Sequence, residues 1–100
     1  MVARFLMCFF TGVFFCNSLP HLVSGLQGRP FPTPFGKPLG VGDSPPLVNV
    51  LWGFFNLLAG ASLLSLVPIS IGVNLAFLSV VAGGVLMGVR LALHFGRVRR

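Results

Sequence analysis

The amino-acid sequence predicts an all-α integral membrane protein, with three transmembrane helices in a small bundle and a Pro/Gly-rich loop between helices 1 and 2. Its N-terminus is expected outside and its C-terminus in the cytoplasm. Three observations carry this prediction. Of 100 residues, 55% are hydrophobic and 8% charged, with a mean hydropathy of +0.96, whereas a water-soluble domain needs about 25% charged residues to clothe its surface. Three apolar stretches are each long enough to cross roughly 30 Å of hydrocarbon. The basic residues also fall unequally on the connections between them, which sets orientation. The whole chain, 1–100, reads as a single membrane domain.

Helix 1 is expected over about 5–26, because the 24 residues between Arg4 and Arg29 carry no charge. A cleaved signal peptide competes, since MVAR followed by FLMCFFTGVFFC resembles a charged n-region and an apolar h-region. No A-x-A-like site follows, and Phe15 before Cys16 is wrong for lipoprotein processing, so the segment is read as a span. Pro20 has no N–H to donate; it frees the carbonyl of Cys16 and predicts a kink near Asn17. Cys8 and Cys16 would stand roughly 12 Å apart on this helix, too far to pair, and read as small apolar packing residues.

The stretch 27–46 holds six of the eight prolines and is expected to be a cytoplasmic loop without regular structure. RPFPTPFGKP favours polyproline-II geometry, with Phe31 and Phe35 at headgroup level. Asp43 or Ser44 is expected to cap helix 2, whose first turn tolerates Pro45 and Pro46. Helix 2 then runs over about 47–67, and PISIG turns the chain into helix 3, at about 71–95. This second connection carries no charge and must be a tight hairpin at the interface. A basic tail, 96–100, completes the chain.

Arg29, Lys37, Arg97, Arg99 and Arg100 lie on one side of this arrangement, with Arg90 at the tail-side end of helix 3, while the other side has Arg4 alone with the amino terminus. The positive-inside rule therefore puts loop and tail in the cytoplasm. Arg90, Arg97, Arg99 and Arg100 are the expected contacts to anionic lipid headgroups, at about 1 kcal/mol each. The net charge of +6 does not imply nucleic acid, because no basic face and no groove-reading or stacking motif accompanies it.

Within lipid, helix interfaces are marked by small and hydrogen-bonding residues on one face. Helix 2 carries Asn49, Gly53, Asn56 and Gly60 in one stripe, opposite Leu51, Phe54, Phe55 and Leu58. Helix 1 carries Asn17, His21, Gly25 and Gly28, and helix 3 carries Gly84 and Gly88, with Asn74 and Val81 on roughly the same side. Gly53, Gly60, Gly84 and Gly88 are the expected packing glycines, with Gly53 and Gly84 at close approaches. At about 1.5 Å per residue, Asn17 and Asn56 both lie roughly 13 Å from the shared end of antiparallel helices 1 and 2. That depth predicts an Asn17–Asn56 hydrogen bond, with His21 level with Trp52 and Gly53.

An ionisable group beside a proline in a membrane helix is how transporters and proton relays build sites. Asn17, His21, Asn49 and Asn56 are accordingly candidates for a polar interface between helices or, in an alternative reading, for the pathway of an oligomeric transporter or channel. An enzyme would need His21 with Asp43 or His94, and the inventory is thin. It holds one acid, no Tyr, and no metal-binding or nucleophile spacing. No enzymatic activity, cofactor or metal is expected. The sequence is best read as a non-enzymatic accessory or structural subunit of the cytoplasmic (plasma) membrane. It would act through helix–helix assembly, as a homo-oligomer or with a larger membrane-protein partner, and touch anionic lipid at the cytoplasmic face.

Overall fold

A computed structural model describes residues 2–99. Three helices make up the fold: α1 (Val2–Leu26), α2 (Pro46–Leu66) and α3 (Leu75–Val98). Each is long and apolar enough to cross a membrane, and the molecule's longest dimension of 39 Å suits a bilayer of about 40–45 Å with its headgroups.

α1 continues as helix through Pro20, so the proline expected to kink it near Asn17 does not end it. The helix stops where Gly28 takes a φ of 73°. Its N–H meets the Gly25 carbonyl at 3.0 Å and that of Arg29 meets the Ser24 carbonyl at 2.9 Å. That pairing satisfies the last carbonyls of the helix. Gly28 is thus a helix terminator and not the last member of a packing stripe.

The connection to α2 is not free of regular structure. Strands β1 (Phe31–Pro32) and β2 (Asp43–Ser44) pair antiparallel, with Phe31 opposite Ser44. Neither Asp43 nor Ser44 caps α2: Pro45 occupies the cap position and no side chain bonds there. Ser44 is engaged across the strand pair with Thr33, and Asp43 pairs with Arg99. α3 begins four residues later than expected, because Asn74 is its N-cap and accepts the Phe77 N–H at 2.9 Å. Asn74 is therefore exposed at the hairpin and not part of an interface.

α1 is the shared element of the packing. α2 lies antiparallel along one side and α3 parallel along another, and α2 and α3 scarcely touch each other. Gly53 and Gly84 consequently approach α1 and not one another. A methyl at Gly53 would lie 2.6 Å from Leu22 Cγ, and one at Gly60 would lie 2.7 Å from the Phe15 ring. On the α3 side the tightest positions are Gly12 and Gly83, where an added methyl would collide with the carbonyl oxygens of Val80 and Phe9. The Gly84 backbone N also lies 2.7 Å from a methyl built at Gly12, as expected of a close approach, although methyls at Gly84 and Gly88 themselves would make ordinary contacts at 3.7 Å with the Gly12 oxygen and 3.5 Å with Cys16 Sγ. Val81 faces outward. Small residues dominate the α1 interior, with Cys8, Thr11, Gly12 and Ser18 all buried, as expected where backbones must approach closely in lipid.

Gly12→Ala and Gly83→Ala should each destabilise the fold by about 1–3 kcal/mol, the usual cost of overpacking against something that cannot move aside. Gly96→Ala, with open space around the new methyl, should be neutral or stabilising by up to about 1 kcal/mol through helix propensity. Detergent or thermal unfolding of the three variants checks the contrast.

Candidate functional site

The polar side chains collect at the end of the molecule where the 27–45 loop crosses the helices. Asn49, in the first turn of α2, is fully buried. Its Nδ2 lies 3.0 Å from the Phe31 carbonyl, 3.1 Å from that of Ser44 and 3.3 Å from that of Pro45. All three partners accept, so the amide orientation is fixed by the network and Oδ1 must be an acceptor. It lies 2.8 Å from His21 Nδ1, and His21 therefore carries its proton on Nδ1. His21 is buried, with edge-on contacts to Phe31 and Phe95. Its ring centroid is 6.5 Å from that of Trp52.

One helical step deeper, Asn17 Nδ2 donates to Asn56 Oδ1 at 2.9 Å, and Asn56 Nδ2 donates to the Trp52 carbonyl at 2.8 Å. Both members of the depth-matched asparagine pair are thus used within one chain. The four candidate polar residues divide into two couples, Asn17 with Asn56 and His21 with Asn49, each joining α1 to α2.

The loop forms a cap that ties α3 to the other two helices. Thr33 and Ser44 hydroxyls meet at 2.5 Å, and the Gly36 and Gly40 N–H groups both donate to the Thr33 carbonyl. From α3, His94 Nε2–H donates to the Gly40 carbonyl at 2.7 Å and Phe95 packs on Phe31 with ring centroids 4.6 Å apart. Arg99 pairs with Asp43 at 2.9 Å and lies over the Phe31 ring. Arg99 is therefore a strap to the loop as much as a group available to headgroups. Arg90 and Arg97 are exposed on α3; Arg100 lies outside the described residues. The single acid of the chain is bound by Arg99 and stands beside neither histidine.

Under this cap, the gap between α2 and α3 opens as a cleft of about 400 Å³. Asn17 and His21 form its floor on α1, Trp52 one wall, and Met87, Arg90 and His94 the other. The Trp52 indole N–H is buried without an acceptor. Among the described residues, no three His, Cys, Asp or Glu side chains gather as a metal site would require. The cleft was not legible in the sequence, because it depends on α2 and α3 standing apart. The unpaired indole had no signature either, and Thr33 and Ser44 looked like ordinary loop residues.

No family model, curated protein or solved structure matches the chain.

Two measurements test the polar couples. In an Asn17→Leu, Asn56→Leu double-mutant cycle the coupling should be about 0.6–2 kcal/mol, the range for such bonds between membrane helices; strict additivity would rule the bond out. Asn49→Leu takes the carboxamide donor from the Phe31 and Ser44 carbonyls and the acceptor from the His21 N–H, at about 1–3 kcal/mol for each group left without a partner, while the Pro45 carbonyl keeps the backbone N–H of residue 49. Hydrogen exchange across 31–44 should then accelerate, while amides at the centre of α1 keep their protection.

Proposed function

We propose that the protein is a non-enzymatic accessory or structural subunit of the cytoplasmic (plasma) membrane, acting through helix–helix assembly. The observation that supports this best is the closure of the polar couples inside a single chain. Asn17, His21, Asn49 and Asn56 spend their strong donors on each other and on backbone carbonyls of the loop and α2. A conducting path lined by the same groups would require them to part. What remains on the outside is apolar: Leu51, Phe54 and Leu58 on α2, and Val85, Leu86 and Val89 on α3, are all about half exposed or more. Such faces suit lipid or a neighbouring helix equally well.

The orientation proposed is N-terminus outside and capped end in the cytoplasm. Arg29, Lys37, Arg97 and Arg99 share the capped end, and Arg4 is alone at the other, which the positive-inside rule reads as cytoplasmic. The absence of catalysis is proposed on the side-chain inventory, with Asp43 occupied by Arg99 and His94 by a backbone carbonyl.

Native mass measurement and in-membrane cross-linking of the full chain should find a defined homo-oligomer or a complex with a larger membrane protein. Reconstituted vesicles should pass neither protons nor small polar solutes. A monomer in its native membrane would overturn the assembly reading, and a pH-dependent flux abolished by His21→Ala would establish transport in its place.

A further inference from the structure

The cleft between α2 and α3 combines features that scaffolding does not explain. Arg90 projects from α3 at its wall and, among the described residues, has neither a carboxylate partner nor a side-chain hydrogen bond. No carboxylate side chain is left for it, since the chain has one acid, Asp43, and Arg99 holds it. Trp52 lines the cleft on the α2 side, opposite Arg90. Nearer the cap, His94 is held by its Nε2–H on the Gly40 carbonyl. The remaining lining includes the apolar side chains of Leu39, Met87 and Leu91. The cleft lies at the end of the helices where the other basic residues gather, and it is open between α2 and α3 because those helices scarcely touch.

We infer that this cleft binds the phosphate of an anionic phospholipid, with one acyl chain lying along the gap between α2 and α3. An oxygen-rich anion supplies the counter-charge that Arg90 lacks. The guanidinium offers a planar fork suited to phosphate oxygens. An acyl chain fills the apolar part of a volume that water would occupy poorly. Free phosphate shares the head chemistry but leaves that apolar lining uncovered, which is why a lipid is the assigned source. The assignment rests on the membrane placement of the chain and is independent of how copies or partners assemble.

Trp52 is the only tryptophan, so its fluorescence reports directly on the cleft. The full chain is placed in phosphatidylcholine vesicles containing a small fraction of phosphatidylglycerol, with bromine on the acyl chains of one lipid or the other. Brominated phosphatidylglycerol should quench Trp52 in excess of its mole fraction, with a preference of about fivefold, the scale of one cation–headgroup contact. Arg90→Gln should abolish that preference. Arg29→Gln, a charge at the same end but away from the cleft, should keep it. An unchanged Trp52 emission maximum in pure phosphatidylcholine certifies that each variant is folded. Equal quenching by both lipids, or a preference that survives Arg90→Gln, would overturn the assignment. Loss of the preference on adding inorganic phosphate would reassign the site to the free anion and likewise remove the lipid.

Discussion

Four hydrogen bonds converge on the carboxamide of Asn49, and the capped end of the molecule depends on them. In lipid every buried backbone polar group needs a partner within the protein, and a loop with so many prolines supplies only a two-residue ladder of its own. Asn49 fills that role for Phe31, Ser44 and Pro45, while its oxygen holds the His21 N–H on α1. One side chain thus joins the first helix, the loop and the start of the second helix. The two prolines also leave the start of α2 with fewer N–H groups to satisfy, since neither Pro45 nor Pro46 has one, and the helix begins there without a side-chain cap.

Beyond the cap, the fold is held by a different kind of contact. Apolar side chains gain little by leaving lipid for each other, so close backbone approach and dispersion must do most of the work along the helices. α1 meets α2 through Gly25, Gly53 and Gly60, and meets α3 through Gly12 and Gly83. Its small residues face two directions, which is why it can serve two neighbours and why those neighbours need not meet. The polar couples fix register at one end, and the glycines then fix distance along the remaining length.

How much of this was written in the sequence follows from that division. Three spans were legible from charge-free length alone, and the α1–α2 register from the matched depths of Asn17 and Asn56. Both are consequences of local periodicity in a known solvent. On α3 the GxxxG spacing drew attention to Gly84, whose backbone N does lie 2.7 Å from a methyl built at Gly12, but not to Gly83, which packs against the Phe9 carbonyl. How closely each of two adjacent glycines approaches a neighbour depends on the rotation of α3 about its axis, set by packing and not by spacing. Asn74 looked like an interface residue and is a cap, since an asparagine at a helix boundary satisfies a free N–H more readily than it finds a partner across the bilayer. The strand pair in the loop needed Thr33 and Ser44 to find each other across eleven positions, a non-local event with no local signal.

The separation of α2 from α3 gives the cap a mechanical role. With no interface of their own, these helices are positioned by α1 and by the loop that crosses from one to the other. Its grip on α3 consists of the His94–Gly40 bond, the Phe31–Phe95 contact and the Arg99–Asp43 pair. The ion pair is nearly half exposed on both sides and contributes at most about 1 kcal/mol. Phe31, half-buried with its ring against His21 and Phe95, links the cap to both neighbours: its carbonyl is held by Asn49 and its ring packs on Phe95 of α3. The Asn49 carboxamide that joins α1 to α2 thus also holds the loop residue that packs on α3, linking the two seams through Phe31.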